Sequence, residues 1–278
     1  MTQEKQVYHS KIWYEEAEVD NPFAAKSHYC HGYNVTTDIL PKAPWIDYLY
    51  LLFTGLRASS MQAQLLEKIA VAIANPGMRD LSIRAAMNGG VGGSTAAASL
   101  IAALGTGAGQ LGGAREVYTL VESWHKYQTN FDLWITFLKD PNKNRTRTDV
   151  WPEYEHPPGF DPNGDQCPTT VLDTLSVLAA VEANGPVVWL QQQRPALEQV
   201  ISLPLSLSAV ISAAFYQLGF DAKQSEMLYL LLRLPGAAIH ALEQETYGWK
   251  KFPFFGSHTE LTDDPGNKGL PEIEGYSQ

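Results

Sequence analysis

The sequence predicts an all-α fold, on three observations. Apolar residues recur at helical spacing through most of the 278 residues, as in Leu65, Leu66, Ile69, Ala70 and Ile73, or Val117, Leu120, Val121 and Trp124. Strand-like alternation never runs beyond a few residues. The centre of the chain, 88–116, is a run of small and apolar residues bracketed by Gly89-Gly90-Val91-Gly92-Gly93 and Gly105-Thr106-Gly107-Ala108-Gly109. Small side chains let helices approach closely, and a helix that is apolar all round is a buried one. The expectation is a chain more than half helical, with no sheet larger than a hairpin and with 96–104 fully buried. That run is shorter than the ~20 apolar residues of a membrane span.

Residues 1–37, with Trp13, Tyr14, Phe23, Tyr29 and Tyr33, read as short extended pieces and turns packed on the body. A helix follows over 45–53, broken at Gly55. Ser59 or Ser60 caps another over 61–74, which Asn75-Pro76-Gly77 ends. Helices over 81–88, the central 94–104 and 115–138 come next. Residues 139–168 change character, with five prolines and two glycines between Trp151 and Pro168. A loop that long in a compact chain is a functional loop or a lid. Thr169 then caps 170–183. Further helices are expected over 187–193, 196–201, 206–218, 224–234 and 237–246, the last two separated by Pro235-Gly236. The tail after Trp249 reads as loose.

Composition bounds the function. Hydrophobic residues make up 45% and charged residues 18%, a globular balance. A formal net charge of -10 argues against a nucleic-acid surface, though a local basic pocket for a phosphorylated ligand is compatible with it. Cys30 and Cys167 define no disulfide framework. The first twenty residues carry Glu4, Lys5, Lys11, Glu15, Glu16 and Glu18 in place of an apolar leader, which points to a cytoplasmic, reducing setting with no membrane attachment. His28, Cys30 and His31 sit together, but zinc needs four ligands and no second pair exists, so no metal site is expected.

Leu111-Gly112-Gly113-Ala114-Arg115-Glu116 is a glycine pair opening straight into a helix. Such a turn lets backbone approach a ligand and points a helix N-terminus at an anion. The same glycines would equally serve tight helix packing.

Three stretches together carry a resemblance. They are the apolar helix ending in Leu111-Gly112-Gly113-Ala114, the loop Glu155-His156-Pro157-Pro158-Gly159-Phe160-Asp161-Pro162, and Leu218-Gly219-Phe220 followed by Pro235-Gly236-Ala237-Ala238-Ile239-His240-Ala241-Leu242-Glu243-Gln244. In order and spacing the chain resembles the citrate synthase superfamily over about 30–250, and within it the short citryl-CoA lyase-like proteins and the lyase module of ATP-citrate lyase. His31-Gly32-Tyr33 stands where those proteins have Arg-Gly-Tyr. The resemblance implies a large helical domain from 1–110 and 208–278, a smaller inserted helical domain from 111–207, and a ligand cleft between them. It also implies a homo-oligomer, for which the small-residue face of 96–103 is a natural contact. A CoA thioester would be substrate or ligand, with no tightly bound cofactor.

The family's chemistry makes or breaks a carbon–carbon bond between a thioester enol and a keto acid. It needs a carboxylate base, neutral histidines and arginines for the carboxylates. Here Leu111 stands at the family's first histidine, and Ser208 where the catalytic aspartate is due. A serine hydroxyl is no carbon base without strong activation. His156 and Asp161 survive as catalytic candidates. Arg115, Arg233, Gly112 and Gly113 are the substrate-binding candidates, because they adjoin matched motifs. Arg79, Arg84 and Arg194 are further candidate anion holders, each of which would equally serve as a surface arginine. His240, on an apolar face, reads as a packed histidine. A carboxylate replacing position 208 is sought at Asp161 or Asp165. Two readings follow: an enzyme acting on a CoA thioester of a small carboxylic acid, or a catalysis-lost homologue that binds such a ligand or a partner subunit.

Overall fold

The computed structural model describes residues 8–143 and 151–252; Glu4, Lys5 and most of the tail expected to be loose lie outside them. About 60% of the described residues are helical, and the all-α expectation holds. It needs one amendment: three strands, not a hairpin, precede the helices. β1 (Tyr14–Ala17), β2 (Ala25–Cys30) and β3 (Tyr33–Asn34) form an antiparallel meander. Tyr14 pairs with Tyr29, and Cys30 with Tyr33. His31 and Gly32 make the tight turn between β2 and β3, both at positive φ, which is what a two-residue hairpin demands.

Asn34 then caps a π-helical turn, Val35–Ile39. Ten α-helices follow among the described residues: α1 (Trp45–Thr54), α2 (Ser60–Ala74), α3 (Leu81–Val91), α4 (Ala96–Gly107), α5 (Ala114–Tyr127), α6 (Phe131–Lys139), α7 (Thr169–Ala179), α8 (Pro186–Ile201), α9 (Leu207–Gln217) and α10 (Ala222–Tyr247). Local signals place several ends. Gly55, in the left-handed region, closes α1, and Ser59 with Gln62 forms the capping box that opens α2.

Elsewhere packing overrides the local signal. α10 runs unbroken through Pro235, and α8 through Pro195. Each proline removes a helix hydrogen bond, but tertiary burial outweighs that loss. Gly236, next to the first proline, lets α10 press against the last carbonyls of α2; a Cβ there would lie 2.9 Å from Asn75 Cα. The first glycine cluster is not a break either. α3 continues through Gly89 and Gly90, where added Cβ atoms would lie 2.9 Å from Ser99 Cα on α4 and 3.0 Å from Ala241 Cα on α10. These glycines set how closely three helices cross. Conversely, the single helix expected over 115–138 is two. Gln128 takes positive φ, Asn130 caps α6, and Trp134 Nε1 donates to the Gln128 carbonyl at 2.8 Å.

The main core joins α1, α2, α5–α9 and the first half of α10 in one cluster. Trp124 is its hub, edge-on to Trp134 and Trp189 and stacked on Tyr216. The expected burial of 96–104 fails. Ser99, Ala103 and Gly107 of α4 are buried and Leu100 packs beside them, while Ala96, Ala97, Ala98, Ile101 and Ala102 are exposed. Uniform apolarity here marks a helix with one inner face and one uncovered face.

Candidate functional site

A cavity of about 690 Å³ lies among the start of α5, the start of α9, the middle of α10 and the loop before α7. The loop is stitched to the strand-like lead into α9. Phe160 bridges Leu205, the Asp161 N–H donates to the Pro204 carbonyl at 2.9 Å, and the Ser206 N–H donates to the Gly159 carbonyl at 2.9 Å. Pro157 and Pro158 restrict the loop further. That places His156 on the cavity wall, half-buried, with burial holding its pKa below the ordinary value against the pull of Glu155 and Asp161. Burial thus favours the uncharged imidazole, which is able to donate or accept.

Glu116 is the residue that sequence reasoning passed over. It is the third residue of α5, the position from which a glutamate reaches back to the free N–H groups ahead of its helix. Only 2% exposed, its carboxyl accepts from the Gly112 N–H at 2.7 Å and the Gly159 N–H at 2.5 Å, with the Ser208 side chain beside it on the same cavity wall. Burial nevertheless pushes its pKa up to about 7, with those two donors and the Ser208 hydroxyl opposing the rise. The acidic residue at this helix position was the readable signal; its burial beneath the 159 loop was not.

The other expected site residues divide cleanly. Leu111, Gly112, Ser208, Asp161 and Arg233 line the cavity with His156. Gly113 does not; it packs on the carbonyls of Gly107 and Gly109, so its role is the tight turn. Gly112 presents its N–H to Glu116, so the N-terminus of α5 already faces an anion from its own chain. Arg115 lies outside the cavity, its guanidinium 3.9 Å over the Tyr118 ring and 4.0 Å from Glu226. Asp165 does not line it either. Arg194 is paired with Glu198 at 2.5 Å. Arg233 is buried and ion-paired to Asp80, with its guanidinium 4.7 Å over the Tyr229 ring. His240 contacts Asn75 Oδ1 at 3.1 Å, a packed histidine as read. Among the described residues no cluster of His, Cys, Asp and Glu could hold a metal ion.

The lining is therefore acidic: Asp80, Glu116, Glu155 and Asp161 against Arg233 and a neutral His156. A second, smaller cavity of about 450 Å³ opens between β3 and α1, with Lys42, Arg57, Asp38 and Asp47 on its walls.

No family model and no curated protein matches the sequence. Solved structures match its fold. Citryl-CoA lyase from Hydrogenobacter thermophilus superposes with a TM-score of 0.65 at 17% identity, over 97% of each chain. The chain has the citrate synthase-like fold. The same fold forms part of two longer proteins. ATP citrate lyase from Methanothrix soehngenii, in complex with citrate and coenzyme A, gives 0.66 at 16% identity over 98% of this chain and 42% of that one. A variant of the Methanosaeta concilii ATP citrate lyase, in complex with (3S)-citryl-CoA, gives 0.66 at 15% over 94% and 43%. The cavity of this chain is lined by residues from the end of α2, the start of α3, the start of α5, the loop before α7, the start of α9 and the middle of α10.

Proposed function

We propose that this chain binds a CoA thioester of a small carboxylic acid in the cavity between α5 and α9. The observation that carries the reading is His156: a neutral, half-buried imidazole held by a proline-stiffened loop on the wall of a cavity of ligand size. A neutral histidine suits a thioester carbonyl, whose oxygen needs a donor without a buried charge. The likeness to lyases that handle citryl-CoA supports the ligand class. The walls formed by 1–110 with 208–278, and by 111–207, are then two domains closing on the ligand.

A second reading, a catalysis-lost ligand-binding or partner-subunit scaffold, is favoured by Leu111, Ser208 and the pairing of Arg233 with Asp80. That pairing leaves little positive charge for a free tricarboxylate. Calorimetric titration decides. Acetyl-CoA should bind at one site, and His156→Ala should weaken it by roughly 3- to 10-fold, the worth of about one hydrogen bond. Should the chain turn over a thioester, the same variant should lose on the order of a hundredfold in rate. No heat and no thermal shift with acetyl-CoA would remove the reading.

The exposed Ala96, Ala97, Ala98, Ile101 and Ala102 face of α4 supports a homo-oligomer. Light scattering should show a species larger than the 30.7 kDa chain, and Ile101→Lys should shift it toward monomer. A monomer in the parent protein would refute the assembly. A cytoplasmic, reducing setting fits the two free cysteines.

A further inference from the structure

We propose that Glu116 is the group that takes and returns a proton in this cavity, acting on a CoA thioester whose carbon next to the carbonyl carries hydrogen; the proposal rests on the CoA-thioester reading above. The resemblance calls for a carboxylate at position 208 and the chain has a serine there. In the folded molecule Ser208 and Glu116 line the same cavity, and the Ser208 hydroxyl is near enough to favour the ionised Glu116 carboxyl. A carboxylate from the start of α5 thus stands beside the place where one from α9 is missing.

The other carboxylates on the same wall are paired with a cation, held on a single oxygen or exposed. Asp80 is tied to Arg233, and Asp161 Oδ1 accepts the Asn163 N–H at 2.9 Å. Glu155 is exposed. Glu116 is held on both oxygens by backbone N–H groups, so its orientation is fixed before a ligand arrives. Its pKa of about 7 suits a group that must be a base in one step and an acid in the next at neutral pH.

The step balances without any co-reactant. The ionised Glu116 takes a proton from the α-carbon; that C–H bond breaks, and its electron pair moves into the thioester carbonyl to give the enolate. His156 can donate to the enolate oxygen. Return of the proton from Glu116 to carbon restores the thioester, and nothing is oxidised or reduced. Ser208, acting through Glu116, is a positioning residue.

The test is deuterium exchange into the acetyl methyl of acetyl-CoA, followed by NMR with the full chain in D₂O. Exchange is expected to rise with pH to a plateau, with its midpoint near 7. Glu116→Gln should slow it by about 100-fold or more while acetyl-CoA still binds, and Glu226→Gln, outside the cavity, should leave it unchanged. If Glu116→Gln does not fold, Glu116→Asp and the parent protein's own pH profile carry the test: the shortened carboxylate should slow exchange, and a profile flat between pH 5 and 8 overturns the proposal. Acetyl-CoA binding without exchange, or exchange unaltered in Glu116→Gln, overturns the role of Glu116 alone. Failure of acetyl-CoA to bind overturns the ligand reading and this proposal with it.

Discussion

Arg233→Ala is expected to lower stability by about 3–5 kcal/mol, the cost of leaving one member of a buried ion pair without its partner. Asp80 does double duty in that pair. Its Oδ1 opens α3 by accepting the Ser82 N–H at 2.9 Å and the Ile83 N–H at 3.3 Å, while Oδ2 meets the Arg233 guanidinium. The arginine also lies over the Tyr229 ring. Removing it strands a largely buried carboxylate at the start of a helix that packs on α4 and α10. The same truncation with Asp80→Asn should recover much of the loss, because asparagine keeps the cap and removes the stranded charge. Urea denaturation of the two variants measures both numbers. An Arg233→Ala protein of unchanged stability but reduced acetyl-CoA affinity would instead make Arg233 the ligand-binding residue that its motif suggested.

Stability is also expected to fall as pH rises from about 4.5 to about 7, by on the order of 3 kcal/mol from Glu116 alone. Its folded pKa lies above the ordinary value, so the unfolded chain releases this proton first. Below the ordinary value both states are protonated, and the neutral carboxyl's contribution is fully present. It is lost through the window as the buried group is forced to ionise, and it changes no further above the folded value. His156 works in the opposite sense: its folded pKa is depressed, so its contribution is lost as pH falls below the ordinary 6.5. Comparing the parent with Glu116→Gln by urea denaturation at pH 5 and pH 8 cancels His156. The parent should lose stability over that interval relative to the variant. Equal slopes would show a Glu116 carboxylate that stays ionised throughout.

Much of this was legible in the sequence because helical period, caps and turn residues are local. Ser59 with Gln62, Gly55 and Asn75-Pro76-Gly77 mark helix ends where short-range chemistry decides them. Pro235 and Pro195 misled because their penalty is local, whereas the burial that carries α10 and α8 through them comes from distant residues. Gly89 and Gly90 read as a break between two helices; what they accommodate is Ser99 and the backbone at Ala241, which no local pattern announces. The cavity was read in half. His156, Asp161 and Gly112 carried motifs and line the cavity, while Arg115 had the right neighbours in sequence and lies outside it. Glu116 carried a signal only for helix initiation. Its burial beneath Gly159 and its place beside Ser208 join residues 43 and 92 positions away, so only the folded chain brings them together.

The most direct measurement is a crystal structure of the protein with acetyl-CoA bound. The acetyl group should lie between α5 and α9. Its methyl carbon should lie about 3–3.5 Å from a Glu116 carboxyl oxygen, and its carbonyl oxygen about 2.6–3.2 Å from a His156 ring nitrogen. An acetyl-CoA seated instead in the smaller cavity beside Lys42 and Arg57, with the one at Glu116 unfilled, would contradict it.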